Sequence, residues 1–589
     1  MRSRKGMNWK SWLAGAMAVM MTMTAMPVGT VLAAQEEEQQ QETENQETTG
    51  KNNISYTGRS LDFNSGWKFI LKNVTEASDI QYDDSNWQNI TLPHDWSIEQ
   101  DFNPASKANA QGGYLDGGTG WYRKTFTLDE SMKGKRVSIE FDGIMTVSTV
   151  YVNGEKLGSR FYGYSPYQYD ITDYLKTDGS ENVIAVKVTT AQPSSRWYTG
   201  SGIYRDVTLT ITDSVHVDYN GMYVTTPSLE EDLKSGMAKV SAEATIVNSR
   251  KDSEKATVTE QILDADANIV AEKSTVQTLS EEKTKVKQEL EVKNPHLWST
   301  DDPYLYTAKT KITVDGTVVD EYETTFGMRY LTFTTDKGFY LNGQYTKLNG
   351  MCLHHDLGAL GAATNERAVE RQLQQMKAMG ANAVRTAHNP ASKVFIEKCN
   401  ELGLMVVEES FDVWTKNKMG NDYSNYFKEH AEEDIKAMVD RDKNAPSVIM
   451  WCIGNEISYQ SGDAEVAVNL NNWVKEIDTT RPTTINQRPK NVNSATSEKI
   501  MDTVEKHLRE YPECKVYLST PPVIPGLGSS GGFEMQLEAR GEATFDNLVD
   551  AADTLMYYAS KRKELTGLSS SLQSEIPQLY FDVDRDKVK

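Results

Sequence analysis

Cysteine is scarce in this sequence: four cysteines occur in 589 residues. They stand far apart, without the short spacings of a disulfide framework or a zinc site. Three of the four fall on segments that we predict to be buried strands or helices. We therefore predict that all four are small core residues, namely Cys352, Cys399, Cys452 and Cys514.

The sequence also lacks an excess of positive charge. It has 62 Lys and Arg against 84 Asp and Glu, which gives a net charge of −22. Nucleic acids and anionic membranes repel such a chain, so we expect neither as its main partner. After residue 34, no apolar run approaches the roughly 20 residues that a membrane-spanning helix needs. We therefore expect no stable membrane span in the mature chain.

Residues 1–34 differ from the rest of the chain. Several basic residues precede an apolar, Met-rich stretch, Trp12 to Ala34, that ends in the small residues of VLAAQ. This order predicts a signal peptide, and hence a secreted, periplasmic or cell-surface protein. The alternative is an uncleaved membrane anchor. Residues 35–53, rich in Glu, Gln and Thr, predict an acidic disordered linker.

Two β-rich regions come next. Residues 54–213 contain short alternating strands separated by Gly, Asn and Asp, such as RVSIEFDGI and STVYVNGEKLG. This pattern predicts an antiparallel, jelly-roll-like β-sandwich. Residues 214–330 repeat the style in AKVSAEATIVN and LYTAKTKITVDG, and their number fits a single immunoglobulin-like sandwich.

The pattern changes after residue 330 to apolar strands that alternate with amphipathic helices. Strands such as NAVRTAH, LMVVEES and SVIMWCIGNE are separated by helical segments such as NERAVERQLQQMKAMG. Near-continuous apolar strands between helices are typical of a parallel sheet covered by helices. Five such strands fit the first five units of a (β/α)₈ (TIM) barrel, so residues 331–489 predict a partial barrel.

Polar residues stand where four of these strands end. The four ends read His354-His355-Asp356, Arg385 to Asn389, Glu408-Glu409 and Asn455-Glu456. Catalytic groups of (β/α)₈ barrels project from this end of the strands. A strand-end Glu beside an Asn suits glycoside hydrolysis, because a carboxyl group can protonate the leaving oxygen while the amide holds a sugar hydroxyl. The alternative is a Glu that caps a helix or pairs with Arg385.

Several segments resemble glycoside hydrolase family 2, the β-galactosidase, β-glucuronidase and β-mannosidase group. NAVRTAHNP and DKNAPSVIMWCIGNE look like its two signature segments, and GMCLHHDLGALGAA resembles a first-strand motif of a subgroup rich in β-galactosidases. LPHDWS, GWYRKTF and SSRWYTGSGIYRDV resemble the sugar-binding sandwich of the family. The resemblance extends from about residue 57 to about residue 489.

The resemblance implies a role for each matching residue. Glu456 would be the acid/base, Asn455 would contact the sugar 2-hydroxyl, and the sugar pocket would be lined by His354, Arg385, His388 and, from the sandwich, Asp206. The alternatives are structural: Arg385 neutralises buried carboxylates, His388 is a structural hydrogen-bonding residue, and Asp206 caps a turn. Some family members bind magnesium after the third strand through a Glu and a His. EESFDVWTKNK has no His, so we expect neither a metal nor another cofactor.

The resemblance ends before the barrel would be complete. A retaining glycosidase needs a second carboxylate about 5 to 5.5 Å from the first, and the sequence does not reveal this nucleophile. Residues 490–589 predict an α+β tail in which PPVIPGLGSSGGFEMQLEARG and PQLYFDVDRDK resemble the periplasmic porter segment of resistance-nodulation-division efflux pumps. Tail carboxylates such as Glu513, Glu534, Glu538 and Glu575 stand in these pump-like contexts. The chain therefore looks like a chimera; a genuine fusion, a frame or assembly error in the gene, and divergent last strands all remain open.

These observations favour a secreted, retaining, exo-acting β-glycosidase of galactosidase type by ancestry, with a β-glycoside or oligosaccharide as its substrate. Because the nucleophile is missing and an incomplete barrel exposes its sheet edges, we expect little or no turnover. A second hypothesis is a carbohydrate-binding remnant that does not cleave. A third, supported by the tail alone, is an efflux-pump fragment.

Overall fold

The computed structural model describes residues 53–250, 252–280, 282–458, 463–485, 487–488 and 545–562. The predicted signal peptide, nearly all of the acidic linker, Cys514 and the four tail carboxylates lie outside the described residues. The chain divides into two compact units, residues 1–489 and residues 490–589. In the second unit the structure describes the helix Phe545–Ser560. None of the described helices is long and apolar enough to cross a membrane.

The first domain is a sandwich of two sheets, with strand orders β4-β3-β5-β10-β7-β8 and β2-β11-β6-β9; β1 pairs with β5. Side chains alternate between core and surface, as in β6, where Val137, Ile139 and Phe141 are buried. The strands are β1 Asn53–Ile54, β2 Ser60–Asp62, β3 Trp67–Ile70, β4 Gln88–Ile90, β5 Gly118–Leu128, β6 Arg136–Phe141, β7 Val147–Val152, β8 Glu155–Arg160, β9 Tyr167–Asp170, β10 Asn182–Thr190 and β11 Val207–Thr212.

The second domain is a smaller sandwich, with strand orders β12-β13-β16 and β15-β14-β17-β18. Its core consists mainly of Val, Ala and Ile side chains from the facing sheets. The elements are β12 Val215–Thr225, the short helix α1 Leu229–Asp232, β13 Met237–Asn248, β14 Glu254–Leu263, β15 Ile269–Leu279, β16 Lys283–Lys293, β17 Tyr306–Val314 and β18 Thr317–Phe326. Both predicted sandwiches are therefore confirmed.

The third domain contains a five-stranded parallel sheet whose spatial order follows the chain, β22-β23-β24-β25-β27. In the part that the structure describes, the sheet is open, which confirms a partial barrel. A three-stranded sheet precedes it and a two-stranded one, β26-β28, lies beside it. The strands are β19 Leu331–Thr334, β20 Gly338–Leu341, β21 Gln344–Tyr345, β22 Gly350–Leu353, β23 Ala383–Thr386, β24 Met405–Glu409, β25 Val448–Cys452, β26 Ile457–Ser458, β27 Thr483–Thr484 and β28 Gln487–Arg488.

Helices α2 Glu366–Ala378, α3 Lys393–Leu402, α4 Ser424–Asp442 and α5 Asp463–Ile477 connect the parallel strands. Local sequence sets several of their ends. The Asn365 side chain accepts a hydrogen bond from the Ala368 N–H at the start of α2, and Ser392 does the same for Phe395 in α3. Helix α3 ends at Gly403, whose φ of 70° suits glycine; a Cβ there would lie 2.5 Å from the Thr300 carbonyl oxygen.

The first strand of the parallel sheet, β22, is an edge strand. In the described residues it pairs with β23 on one side, and Met351 is 41% exposed. Cys352 is exposed for the same reason, so the prediction that it is a core residue is wrong. Cys399 in α3 and Cys452 in β25 are buried, as predicted. The exposure of β22 follows from its place at the edge of the sheet, where the described residues provide no second neighbour.

The first sandwich packs directly against the strand-end side of the partial barrel. The buried Arg205 guanidinium donates to the carbonyl oxygens of Pro390 at 2.8 Å and Ala391 at 3.1 Å. The buried Asp95 carboxylate accepts from the N–H groups of Ser201 and Ala362, each at 2.8 Å. These contacts fix the loop of residues 191–206 across the ends of the barrel strands.

One carboxylic acid is buried inside the second sandwich. Glu260 in β14 is fully buried, and its Oε2 accepts a hydrogen bond from the Thr310 hydroxyl at 2.9 Å. Its other oxygen, Oε1, has no hydrogen-bond partner among the described residues. Burial raises the pKa of Glu260 from 4.5 to about 7. The folded state therefore holds this proton more tightly than the unfolded chain does.

We predict that Glu260 makes the second sandwich less stable as the pH rises. Between pH 4.5 and 7 the unfolded chain loses the proton first, so folding becomes less favourable by a few kcal/mol, about 3 at most. Glu260→Gln keeps the Thr310 hydrogen bond without this penalty. Calorimetry of the full chain is expected to show a stabilisation of about 2 kcal/mol at pH 8 and almost none at pH 4.5. The control Glu289→Gln, on an exposed position of β16, should change neither; equal effects of Glu260→Gln at both pH values would contradict the prediction.

Candidate functional site

The four predicted polar strand ends lie side by side, because β22, β23, β24 and β25 are neighbours in the parallel sheet. Side chains from these ends form what we call the strand-end cluster. It contains Arg385, His388, Glu409, Asp412, Lys418, Asn455 and Glu456 from the partial barrel, and Arg196 from the first sandwich. The cluster joins four of the six predicted site residues into one network of hydrogen bonds.

Glu409 is the buried centre of this network. Its Oε1 accepts from Arg385 Nη2 at 2.6 Å, and its Oε2 lies 2.8 Å from His388 Nδ1. Although burial opposes the charge on Arg385, Glu409 raises the pKa of the guanidinium. Arg385 thus pairs with a buried carboxylate, as the structural alternative expected, and it also donates a hydrogen bond to Asn455.

The preceding carboxylate, Glu408, belongs to the core. Successive strand side chains point to opposite faces, so Glu408 points away from Glu409. It is fully buried and lies 3.5 Å from Arg441 in α4. Burial and the neighbouring Asp442 raise the pKa of Glu408 well above its usual value. Its surroundings indicate a structural acid on the helix side of the sheet.

Asn455 connects the two halves of the cluster. Its Oδ1 accepts from Arg385 Nη2 at 3.0 Å, and its Nδ2 donates to Asp412 Oδ1 at 2.7 Å. Lys418 Nζ donates to Asp412 Oδ1 and to the Asn455 carbonyl oxygen, both at 2.8 Å. Although burial opposes it, Lys418 lowers the pKa of Asp412. These contacts fix which end of the Asn455 amide is the donor.

Glu456 follows at the end of β25 with a left-handed backbone, φ 46°. Its Oε2 accepts from Arg196 Nη1 at 2.9 Å, while Arg196 Nη2 donates to Asp412 Oδ1 at 2.8 Å. The arginine that pairs with Glu456 is Arg196, whereas Arg385 pairs with Glu409, which corrects the alternative pairing of Glu456 with Arg385. The Glu456 side chain is 37% exposed, so it lies at the open side of the cluster.

The two histidines of the first strand end have different surroundings. His354 packs near Trp197 and His388, with ring centroids 4.9 and 5.4 Å apart, and burial lowers its pKa. Its Nδ1 has no hydrogen-bond partner in the described part of the chain. His355 is instead a structural residue: its Nε2 lies 3.1 Å from the Thr199 carbonyl oxygen, and burial lowers its pKa to about 3.

The structure does not bring Asp206 into the cluster. Its Oδ1 accepts from Asn64 Nδ2 at 2.9 Å, within the first sandwich. The sandwich instead contributes Arg196 and Trp197, about ten residues earlier in the loop of residues 191–206. Arg205 contacts the Pro390 carbonyl oxygen, and Arg196 contacts Glu456. The expectation for Asp206 is therefore corrected in favour of Arg196.

Sequence reasoning missed Arg196, Trp197, Asp412 and Lys418. Arg196 and Trp197 stand in SSRWYTGSGIYRDV, and Asp412 and Lys418 stand in EESFDVWTKNK. The sequence held one signal for Asp412, which stands just after the polar strand end Glu408-Glu409. In the described residues, no group of three or more His, Cys, Asp or Glu side chains is arranged to hold a metal ion.

Comparison with protein families gives four matches along the chain. Residues 60–213 match the model "Glycosyl hydrolases family 2, sugar binding domain", residues 215–329 match "Glycosyl hydrolases family 2", and residues 333–522 match "Glycosyl hydrolases family 2, TIM barrel domain". Residues 463–589 match a model of the AcrB/AcrD/AcrF family, which overlaps the barrel match. The first three follow the order of the three described domains.

Individual proteins give the same picture. The chain is 45% identical over 406 residues to the β-galactosidase BoGH2A of Bacteroides ovatus. The aligned region covers 69% of this chain and 47% of that protein. The chain is 31% identical over 431 residues to a β-glucuronidase of Formosa agariphila, covering 67% and 42%. A solved family 2 structure from Bacteroides cellulosilyticus superposes with a TM-score of 0.72 at 39% identity, covering 77% and 60%. The chain thus spans about half the length of these curated relatives.

We predict that the stability of the cluster depends on the pairing of Arg385 with Glu409. Arg385→Met leaves a buried carboxylate without its cation, so it is expected to lower the free energy of unfolding by about 3 kcal/mol. The matched control is Arg367→Met, because Arg367 pairs with Glu370 on the exposed face of α2 and should cost less than about 0.5 kcal/mol. Chemical denaturation of both variants measures the difference. Glu409→Gln added to Arg385→Met should restore part of the loss; equal costs for the two arginines would contradict this prediction.

Proposed function

The chain belongs to glycosyl hydrolase family 2, and we propose that it binds the terminal sugar of a β-glycoside at the strand-end cluster, with Glu456 as the acid/base of a retaining hydrolysis. The observation that carries this proposal is the pair Asn455-Glu456 at the end of β25. The amide of Asn455 is oriented by Arg385 and Asp412, while the carboxylate of Glu456 lies at the open side.

The remaining residues have roles consistent with sugar binding. Asn455 contacts the 2-hydroxyl next to the scissile bond, and His354, Arg385 and His388 line the pocket. His354 has a buried Nδ1 without a partner among the described residues, which a sugar hydroxyl can satisfy. Trp197 presents its ring beside both His354 and His388, and an aromatic ring of this kind packs against the C–H face of a sugar. Asp412 adds an acceptor on the same side.

The charges of the cluster support a neutral sugar of galactose type over a uronic acid. Arg385 is paired with Glu409, and both Arg196 and Lys418 are paired with Asp412. A uronate carboxylate would have to compete with these partners for each cation. Relatives named as β-galactosidases and as β-glucuronidases both match the chain, so the preference rests on this charge balance and on the HHDLGALGAA segment.

A second candidate function, a carbohydrate-binding protein that does not cleave, is supported by the carboxylates themselves. A retaining enzyme needs a nucleophilic carboxylate about 5 to 5.5 Å from the acid/base. In the described cluster, Glu409 is engaged by Arg385 and His388, and Asp412 accepts from Arg196, Lys418 and Asn455. Neither is available as a nucleophile without breaking these pairs. A protein that binds the sugar with little or no turnover is therefore the second form of the proposed function, and the Glu456→Gln experiment separates it from hydrolysis.

Two further proposals concern the ends of the sequence. We propose export of the protein, on the basis of the basic and apolar pattern of residues 1–34. We also propose that the chain becomes a chimera between about residues 485 and 515, which is supported by the AcrB/AcrD/AcrF match of residues 463–589. A long DNA read across codons 480–520 tests this: continuation into another barrel strand that ends in Glu would contradict the chimera, and a pump-like continuation would support it.

We predict that Glu456→Gln separates cleavage from binding. If the chain cleaves, the variant should lose at least about 100-fold in kcat on 4-nitrophenyl β-galactoside, because an acid/base group contributes about 10² to 10⁴. Galactose binding, measured by calorimetry, should change less than about threefold. The control is Glu401→Gln, an exposed position in α3, which should change neither quantity.

Three outcomes of this experiment have distinct meanings. Binding of galactose without turnover in the parent chain favours the non-cleaving protein. Full turnover by Glu456→Gln would refute the acid/base role. Tighter binding of glucuronate than of galactose would refute the sugar preference.

A further inference from the structure

Arg196 is the contribution of the first sandwich to the strand-end cluster, and it contacts two carboxylates at once. One guanidinium nitrogen, Nη1, lies 2.9 Å from Glu456 Oε2, and the other, Nη2, lies 2.8 Å from Asp412 Oδ1. The two partners differ in how firmly they are held. Asp412 also binds Lys418 and Asn455 and is 13% exposed, whereas Glu456 is 37% exposed.

This contact opposes the acid role of Glu456. A guanidinium within hydrogen-bond distance favours the carboxylate form of its partner. A general acid must carry a proton when the leaving group departs. The contact with Arg196 therefore favours the carboxylate form of Glu456, which cannot donate a proton. A protein that uses Glu456 as an acid must therefore break this pair.

The surroundings of Arg196 allow such a change. Its Nε is buried and has no hydrogen-bond partner among the described residues, so the present position leaves one donor unused. The side chain is 25% exposed and belongs to the loop of residues 191–206. The base of this loop is fixed at Gly200, whose φ is 67°. A Cβ on Gly200 would lie 2.5 Å from the Cβ of Ala362. A rigid base with a partly exposed side chain permits the guanidinium to move without the backbone.

We propose that Arg196 is a positioning residue that holds Glu456 as a carboxylate in the unliganded protein and releases it when a sugar enters, while it remains bound to Asp412. The proposal rests on the proposed function, because it assigns the acid role to Glu456. Arg196 then supplies, from within the protein, the positive charge that a cationic ligand would bring next to Glu456 and Asp412. Any cationic ligand must displace it.

A cationic sugar analogue tests this competition. The probe is 1-deoxygalactonojirimycin, a galactose-shaped imino sugar that is protonated at neutral pH, and calorimetry measures its binding to the full chain. Arg196→Gln should bind the probe about tenfold more tightly than the parent chain, a difference of about 1.4 kcal/mol, because the two carboxylates lose their internal cation. Arg196→Lys keeps the charge and should bind the probe as the parent chain does.

A second variant shows whether the gain depends on Glu456. In Arg196→Gln combined with Glu456→Gln, the tenfold gain should disappear, because the released carboxylate is absent. Thermal unfolding of each variant establishes that it is folded. Galactose itself, which is neutral, should gain much less than the imino sugar in Arg196→Gln, so the ratio of the two affinities reports the charge effect alone.

Each outcome decides the proposal. A gain in Arg196→Gln that Glu456→Gln removes supports it, as does binding of the probe by Arg196→Gln when the parent chain shows none. Equal or weaker binding by Arg196→Gln, with the parent chain binding the probe, overturns the role of Arg196 and leaves the proposed function intact. Failure of the parent chain and of both Arg196 variants to bind either galactose or the imino sugar overturns the proposed function, and the role of Arg196 falls with it.

Discussion

The buried carboxylate of Glu409 determines where the surrounding groups of the site stand. A charge removed from water is stable only if other groups replace its hydration, and here Arg385 and His388 do so from the neighbouring strand end. Arg385 then has a second donor position directed at Asn455, whose amide in turn orients toward Asp412. The geometry of Glu456 thus depends on a chain of contacts that begins at Glu409, which is fully buried.

The first sandwich is part of the same arrangement. Arg205 and Asp95, both buried, fasten its last long loop to the barrel through main-chain groups. These contacts do not depend on side-chain identity in the barrel, so they fix the position of the loop independently of the chemistry of the site. Arg196 and Trp197 are thereby presented to the strand ends. The first sandwich and the partial barrel thus contribute side chains to one cluster within the first compact unit.

The sequence predicted the features that depend on local pattern. Alternation in RVSIEFDGI gave β6 and its buried face, and the apolar strands gave the order of the parallel sheet. The end of SVIMWCIGNE gave Asn455 and Glu456, because strand ends of a parallel sheet meet on one side.

Features that depend on distant contacts were not predictable in this way. Arg196 and Glu456 are separated by 260 residues, and the family motif pointed to Asp206, whose position depends on the course of the intervening loop. The exposure of Cys352 depends on whether a second strand pairs with β22, and local sequence does not reveal such a pairing.

In the part of the chain that the structure describes, the outer edge of β22 has no strand partner, and such an edge affects how molecules behave toward one another. Main-chain donors and acceptors on such an edge can pair with the edge of any other extended chain, and Met351 and Leu348 beside it are partly exposed. A net charge of −22 acts in the opposite direction, because it keeps molecules apart over about a Debye length. Salt shortens that length and leaves the hydrogen-bonding edge unchanged. Ionic strength therefore acts on the charge repulsion that keeps these edges apart, and leaves their capacity for hydrogen bonding in place.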